Sequence, residues 1–280
     1  MGEKLRADLA LVQQGLAPSR EKAQALIMAG QVYCGTLKIQ KASEPVKGDL
    51  SVKGHDHPFV GRGALKLDKA LRVFGINVTG MTAMDIGAAT GGFTDVLLQN
   101  GASHVYAIDV GYGQLDWKIR NDERVTVMER TNARYLTRKE IPELCGITVM
   151  DVSFISVRLI LPVAAELMEH GGIFSILIKP QFEAGRENVG KKGVVRDPRV
   201  HLQVIEDIRD FCPGIGYRME KCSFSPITGP EGNIEYLAML TPAAGTEKTL
   251  SDEELKTVVE EAHRTLNGHA DNTEPKGNNG

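Results

Sequence analysis

The chain has 280 residues, a formal net charge of −3 and a hydrophobic fraction of 42%, so it can bury a large core and form more than one domain. No stretch reaches the roughly 20 apolar residues of a membrane-spanning helix, and the N-terminus lacks the apolar core of a signal peptide. The four cysteines have no C-x-x-C spacing, which favours reduced thiols and no metal site. We therefore predict a cytoplasmic protein without membrane contact. The acidity is concentrated in residues 243–280, which hold eight acids and four bases, so charge does not exclude an RNA partner.

Residues 1–57 predict a small α+β module. Apolar side chains at helical spacing in residues 5–17 indicate a first helix, and Ser19 is placed to cap a second helix that stops at Gly30. The segments QVYCG and KASEPVKGDLSVKG then indicate short strands. Two helices and a small sheet in fewer than 60 residues make a compact unit.

This module resembles the S4 RNA-binding domain. The resemblance rests on the Ser-Arg pair at 19–20, the Gly-x-Val at 30–32 and the Lys-Gly-Asp turn at 47–49. It implies that the second helix and the basic residues around it face structured RNA. Bases at such an interface contact phosphates, which position the RNA rather than specify its sequence. The predicted RNA-binding residues are Arg6, Arg20, Lys22 and Lys38.

After a predicted linker at 58–62, residues 63–242 show the alternation of an α/β domain. Strands alternate with helices, including one predicted helix at 156–168, which favours a mainly parallel sheet with helices on both faces. The last two strands, 217–224 and 233–240, have only a turn between them and must pair antiparallel. Residues 243–280 predict an acidic helix, begun by the capping box of Ser251 and Glu254, and a disordered tail.

The stretch MTAMDIGAATGGF, residues 81–93, has the pattern strand, glycine-rich turn, helix, which opens a doubly wound unit with its ligand at the carboxyl ends of the strands. The spacing is not the G-x-G-x-x-G of a dinucleotide fold, although the turn alone would also fit another nucleotide. Asp109 ends the next apolar run, where a ribose diol would lie. The combination suits S-adenosylmethionine, which has a ribose and an amino-acid end but no phosphate. The predicted cofactor-binding residues are Asp85, Gly87, Ala88, Ala89, Thr90, Gly91, Gly92, Phe93 and Asp109.

Four further ionisable residues converge on the same edge. Asp151 and Lys179 end apolar runs, Glu235 lies in the last strand, and Lys66 lies in the helix before the first strand. A charge at the end of a hydrophobic strand needs a partner or solvent, so each one alone could be a salt-bridged strand end. Together they predict a catalytic site.

The segments GRGALKL, DIGAATGGFTD, AIDVG, DVSFIS, IKPQFEAGR, KKGVVRDP and GPEGNIEYL resemble the TlyA family, called hemolysins or ribosomal RNA 2′-O-methyltransferases, within the FtsJ-type group. The resemblance implies a Rossmann-like S-adenosylmethionine-dependent methyltransferase domain and a catalytic tetrad of Lys66, Asp151, Lys179 and Glu235. It also implies a cytidine in 16S or 23S rRNA as the target and ribosomal subunits as partners. One departure is Ala89, where many relatives are expected to carry a serine.

The residue types suit this chemistry, because a ribose 2′-hydroxyl needs its proton removed, or its developing charge stabilised, to accept a methyl group. We expect Lys179 to contact that hydroxyl, Asp151 and Glu235 to orient it, and Lys66 to stabilise charge. Two alternatives are a membrane-lysing protein, which the family's other name suggests, and a non-catalytic RNA-binding assembly factor. The basic loop 181–199 is either an RNA clamp or a solvated loop, and Phe154 either stacks on a base or belongs to the core.

Overall fold

A computed structural model describes residues 4–17, 19–28, 30–35, 37–52, 57–243 and 249–267 of the chain. The chain divides into two compact units, residues 1–62 and residues 63–280. Each unit has a hydrophobic core of its own. The predicted tail beyond residue 267 lies outside the described residues.

The first unit is a small α+β module around a core that includes Ala7, Leu11, Ala23 and Ile27. The Ser19 hydroxyl accepts a hydrogen bond from the Lys22 amide at 3.2 Å, as the sequence predicts for a helix cap. Strands β2, β3 and β5 form an antiparallel sheet in the order β3-β2-β5, and β1 pairs with β4. The elements are β1 (Leu5–Arg6), α1 (Ala7–Gln13), α2 (Arg20–Met28), β2 (Val32–Cys34), β3 (Leu37–Lys38), β4 (Pro45–Val46) and β5 (Leu50–Val52).

The second unit follows the predicted alternation of strands and helices. Its elements are α3 (Ala64–Phe74), β6 (Thr82–Ile86), α4 (Gly92–Gln99), β7 (His104–Ile108), α5 (Trp117–Arg120), β8 (Val125–Met128), β9 (Cys145–Met150), α6 (Leu161–Ala165), β10 (Met168–Ile178), α7 (Pro180–Glu183), α8 (Pro198–Phe211), β11 (Tyr217–Phe224), β12 (Tyr236–Pro242) and α9 (Asp252–Asn267).

The strands of the second unit form one seven-stranded sheet in the order β11-β12-β10-β9-β6-β7-β8. Strands β8, β7, β6, β9 and β10 are parallel, and β12 is antiparallel to both β10 and β11. The predicted doubly wound sheet with an antiparallel final hairpin is thus confirmed. The chain winds outward in opposite directions from β6 and β9, so their carboxyl ends flank the switch point where such sheets bind ligands.

The helix predicted at 156–168 is wrong in extent. A short 3-10 turn covers Val157–Leu159, helix α6 has five residues, and β10 already begins at Met168. Pro162 lacks an amide hydrogen and is tolerated only in the first turn, which limits the helix that can form around it. The early start of β10 contains a register shift between Met168 and Ile173, so its first residues do not follow the regular strand pattern.

The C-terminal helix α9 belongs to the core of the second unit. Leu255, Val259 and Ala262 are buried in the same cluster as residues of α8 and β12. The predicted capping box is present, since the Ser251 hydroxyl and the Glu254 carboxylate bond each other and each other's backbone amides.

Candidate active site

The turn after β6 has a backbone that only glycine accepts at two positions. Gly87 and Gly91 lie in the left-handed region, with φ of 89° and 88°. A Cβ on Gly87 would lie 2.5 Å from the backbone oxygen of Asp151, and a Cβ on Gly91 would lie 2.9 Å from Leu115. The turn is therefore packed against the end of β9 and against the segment before α5.

Two aspartates hold this turn in different ways. Asp109, at the end of β7, accepts hydrogen bonds from the Ala89 amide at 2.8 Å and the Gly111 amide at 2.6 Å. Asp85 is fully buried; its Oδ2 accepts from the Thr94 hydroxyl at 2.6 Å, and its Oδ1 has no hydrogen-bond partner among the described residues. Burial raises the pKa of Asp85 to about 7, with the nearby acids Asp151 and Asp109 adding to the shift.

A cleft of about 430 Å³ opens at the carboxyl ends of β6, β7, β8 and β9. Its volume lies within the roughly 300–1,000 Å³ of small-molecule sites. Apolar side chains such as Ile108 and Ile160 form its walls, and polar groups stand at its rim. The polar residues that line it are Asp109, Gln114, Thr131, Asn132, Asp151 and Ser153.

Three of the nine predicted cofactor-binding residues, Gly87, Ala89 and Asp109, line this cleft. The other six shape the turn from outside the lining. Thr90 is exposed; the remaining five are buried, namely Asp85, Ala88, Gly91, Gly92 and Phe93. The sequence did not identify Thr131, Asn132 or Ser153. All three lie in the loops that follow β8 and β9, at the edge where the ligand is expected, but no periodic pattern marks them in the sequence.

The structure brings the four predicted catalytic residues together beside the cleft. Lys66 Nζ lies 2.8 Å from Glu235 Oε2 and 3.2 Å from Asp151 Oδ2. Lys179 Nζ lies 2.6 Å from Asp151 Oδ1. Asp151 thus bridges the two lysines, and the order of contacts is Glu235, Lys66, Asp151, Lys179. Two ammonium groups and two carboxylates balance in formal charge.

Burial is deep at this cluster. Both lysines are 7% exposed and Glu235 is fully buried. Burial alone would lower the pKa of Lys66, but the adjacent carboxylates of Asp151 and Glu235 outweigh it, and the net shift is upward. Lys66 is therefore a cation at physiological pH. The carboxylates of Asp151 and Glu235, rather than solvent, stabilise its positive charge.

Two uncharged side chains, which the sequence did not identify, complete the cluster. The Ser153 hydroxyl accepts a hydrogen bond from Lys179 Nζ at 2.9 Å. The Gln181 amide donates to Glu235 Oε1 at 3.2 Å, and its own oxygen is buried without a hydrogen-bond partner among the described residues. Ser153 lies in the loop after β9 and Gln181 lies in the short helix α7, and no periodic pattern in the sequence marks either as a contact of the cluster.

A second cavity of about 460 Å³ lies on the outer side of the cluster and is lined by Phe154, Gln181, Phe182 and Arg186, among others. Phe154 is 90% exposed with φ of 64°, a backbone conformation that costs a bulky residue energy. Its ring centroid lies 5.0 Å from that of Phe182. The core alternative for Phe154 is therefore wrong, because the side chain is at the surface beside the cluster.

The basic loop between α7 and α8 is anchored by hydrogen bonds of the Val195 backbone to two buried side chains. The Val195 amide donates to Asn233 Oδ1 at 3.2 Å, and its carbonyl lies 3.0 Å from His201 Nε2. Asn233 also donates to the Gly193 carbonyl at 3.0 Å. Around these buried contacts the loop exposes a row of bases, namely Arg186, Lys191, Lys192 and Arg196.

In the first unit, two of the four predicted RNA-binding residues meet. Arg6 and Arg20 both bond the carboxylate of Asp8, at 3.0 Å and 2.9 Å. Lys22 and Lys38 are exposed and make no ion pair among the described residues. The four residues therefore form a pair of arginines and two separate lysines.

Within the described ranges, no helix is long and apolar enough to cross a bilayer. Among those residues there is also no cluster of three or more histidine, cysteine or acidic side chains arranged to hold a metal ion.

Comparison with known proteins finds a matching protein family for each of the two units. The FtsJ-like methyltransferase family matches residues 59–241, and the S4 domain matches residues 5–52. The chain is 53% identical to the "Putative rRNA methyltransferase YqxC" of Bacillus subtilis, covering 94% of this chain and 96% of that one. It is 41% identical to the "16S/23S rRNA (cytidine-2'-O)-methyltransferase TlyA" of Mycobacterium tuberculosis, covering 94% and 98%.

A solved structure, "Putative hemolysin from Streptococcus thermophilus", aligns with a TM-score of 0.77 at 42% identity, covering 96% of this chain and 98% of that one. Both family matches and the full-length likeness to a solved structure agree with the fold described above. The chain belongs to the FtsJ-like methyltransferase family and carries an S4 domain at its N-terminal end.

Proposed function

We propose that this protein transfers a methyl group from S-adenosylmethionine to a ribose 2′-hydroxyl of ribosomal RNA, on a cytidine. The observation that carries the proposal is the cluster of Lys66, Asp151, Lys179 and Glu235, which lies between the cleft and the cavity beside Phe154. The relatives named as rRNA methyltransferases support RNA as the substrate, and the cytidine target follows the Mycobacterium relative.

The residues of the cleft fit the cofactor. Asp109, at the end of the second strand of the doubly wound unit, is placed to accept hydrogen bonds from a ribose diol. The apolar walls suit a flat purine, and the unpartnered Oδ1 of Asp85 leaves an acceptor under the turn for a donor group. When bound, S-adenosylmethionine supplies an electrophilic methyl group.

The two lysines have different roles because their partners differ. Lys66 contacts two carboxylates and remains a cation that stabilises negative charge. Lys179 contacts one carboxylate and the neutral hydroxyl of Ser153, so it keeps a donor direction for a substrate oxygen. We assign to Lys179 the contact with the 2′-hydroxyl, as base or as stabiliser of the developing alkoxide. Asp151 and Glu235 orient the two ammonium groups.

The RNA side of the site is the cavity with Phe154 and Phe182. An exposed aromatic ring next to the reacting groups offers a surface on which a nucleobase stacks, worth about 1–3 kcal/mol per base. The exposed bases of the loop between α7 and α8 supply phosphate contacts. We assign initial RNA docking to residues 1–57 and methyl transfer to residues 63–242. We also propose a cytoplasmic location, which follows from the proposed ribosomal RNA substrate.

The test is transfer of a labelled methyl group to ribosomal subunits that lack the mark, with mass mapping of the modified nucleotide. Lys179→Ala is expected to lower the transfer rate by about 10²–10⁴-fold, the usual contribution of general base catalysis, while calorimetry still detects cofactor binding. Undiminished transfer in Lys179→Ala would reject its role.

Two further arms address the other possible functions. Lysis of red cells by the purified wild type would favour a membrane-lysing protein, and cofactor-independent RNA binding with no transfer would favour an assembly factor. A mark on a nucleotide other than cytidine would remove only the finer part of the proposal.

A further inference from the structure

The carboxylate of Asp8, at the start of α1, is fully buried and accepts five hydrogen bonds. Its Oδ1 accepts from Arg6 Nε at 3.0 Å and from the Leu9 amide at 3.1 Å. Its Oδ2 accepts from Arg6 Nη2 at 3.0 Å, Arg20 Nε at 2.9 Å and Gln24 Nε2 at 3.1 Å. Three elements of the first unit, β1, α1 and α2, therefore meet on one carboxylate.

The two guanidinium groups point outward from this carboxylate. The side chains of Arg6 and Arg20 are 44% and 49% exposed, whereas Asp8 has no exposure at all. Nη1 of Arg6 and both terminal nitrogens of Arg20 have no acceptor among the described residues. Two positive charges thus cover one hidden negative charge, and the surface seen by a ligand is cationic.

This arrangement does little for stability. Ion pairs with half-exposed arginines are weak, and burial of a carboxylate is costly unless it is fully hydrogen-bonded, as Asp8 is. What the carboxylate does achieve is orientation, because an arginine held at Nε has lost rotamer freedom before any ligand arrives. The hydrogen bonds from Arg6 outweigh burial and hold the pKa of Asp8 well below its usual range, so the anchor stays charged.

We propose that Asp8 is a positioning residue that holds Arg6 and Arg20 as a preformed clamp for a backbone phosphate of structured RNA. The planar guanidinium fork matches the oxygens of a phosphate in a bidentate manner. The inference rests on the proposed function, since it needs RNA as the partner of the first unit. The inference goes beyond the proposed function because it states that a fully buried acid, which cannot contact RNA, determines how tightly the two arginines bind RNA.

The deciding variant is Asp8→Asn in the full chain, with dissociation constants measured for transcribed ribosomal RNA at several salt concentrations. Simple electrostatics predicts tighter binding, because a negative charge is removed. The clamp predicts weaker binding, by about 5–50-fold, because both arginines lose their orientation. The matched control is Asp49→Asn, which removes an exposed acid from the same unit and is expected to leave affinity equal or slightly higher.

A second variant keeps the inference testable if Asp8→Asn unfolds the unit. Arg20→Lys preserves the charge but loses the planar fork, and it is expected to weaken binding with the thermal unfolding temperature nearly unchanged. Arg6→Gln is expected to reduce the slope of log affinity against log salt by about 1, the mark of one lost phosphate contact. Wild-type affinity in folded Asp8→Asn would overturn the clamp, and so would wild-type affinity in Arg20→Lys if Asp8→Asn unfolds.

The outcomes separate this inference from the proposed function. If the wild type itself does not bind RNA, the proposed function fails. If the wild type binds and transfers methyl groups while Asp8→Asn is unaffected, the clamp alone fails. Vesicles of anionic phospholipid serve as the other anionic partner, and an Asp8→Asn effect on vesicles but not on RNA would also overturn the proposal.

Discussion

Each unit of this protein contains an acid that holds two bases, and the two clusters differ in where they leave their charge. Asp8 lies beneath two half-exposed arginines, so the first unit presents net positive charge to the solvent. Asp151 lies between the buried lysines Lys66 and Lys179, and Glu235 forms a second ion pair with Lys66. The second unit therefore encloses a cluster with no net formal charge. The same ion-pair chemistry leaves a cationic surface where the bases are half-exposed and a balanced cluster where they are enclosed. RNA binding at the first cluster and methyl transfer at the second are the functions that we propose for them.

The difference is one of base type as well as burial. A guanidinium keeps its proton in any protein environment and recognises planar anions, which suits docking. An ammonium on a flexible stem can exchange a proton with a substrate, which suits catalysis. The partner of each base then decides whether its charge is directed outward or held within the site.

The largest effect expected from this comparison is on stability at Glu235. Glu235→Gln leaves buried Lys66 with one carboxylate instead of two and is expected to lower the free energy of unfolding by about 3–5 kcal/mol. Asp8→Asn is expected to cost less, because its arginines can turn to solvent. Urea unfolding of the two variants measures the difference.

The control for Glu235→Gln is the double variant with Lys66→Met, which removes the unpaired charge. It is expected to recover part of the stability and none of the methyl transfer. If Glu235→Gln alone were as stable as the wild type, the stability of the enclosed cluster would not depend on its charge balance.

A third buried acid sharpens the comparison, because Asp85 has no basic partner in the part of the chain that the structure describes, and burial raises its pKa to about 7. Between pH 4 and 7 the folded protein holds a proton there that the unfolded chain has released, so stability falls as pH rises through this window. At about 1.4 kcal/mol per pKa unit, the wild type is expected to lose about 3 kcal/mol relative to Asp85→Asn between pH 4.5 and pH 7.5. Unfolding of both proteins at pH 4.5 and pH 7.5 measures this. A stability difference between them that is independent of pH would contradict it.

The smallest expected effect is the difference in stability between two glycine substitutions, one of them in the glycine-rich turn after β6. Gly80→Ala places a side chain at φ of 74° in open space and is expected to cost about 1–2 kcal/mol of backbone strain. Gly87→Ala adds a collision with the Asp151 carbonyl and is expected to cost about 1–3 kcal/mol more, with lower cofactor affinity. Equal stability of the two variants would show that the strand end can move away.

Much of this architecture was predictable from the sequence. The alternation of strands and helices, the mainly parallel sheet and the antiparallel ending follow from local patterns, and they are confirmed. The four positions predicted to be catalytic were expected to converge on the ligand edge of the sheet, and the structure joins them in a chain of three ion pairs. Their roles remain predictions.

The remaining features depend on packing between distant segments. Asp8 meets Arg20 and Gln24 only because α1 and α2 pack together, and no periodicity announces that contact. Ser153, in the loop after β9, and Gln181, in α7, are uncharged polar residues whose orientation is set by the tertiary fold. The helix predicted at 156–168 was too long because apolar spacing does not show that the chain forms a 3-10 turn at Val157–Leu159 and that Pro162 must stand in the first turn of a new helix.

The two hydrogen bonds of the Val195 backbone imply that the loop between α7 and α8 tolerates substitutions and changes of length to different degrees. Since both backbone groups of Val195 are bonded to buried side chains, the number of residues on either side of it sets how far each exposed base extends from the sheet. Substitutions among those bases would be tolerated more readily than a single insertion or deletion. Spacing rather than identity is what this loop is expected to preserve.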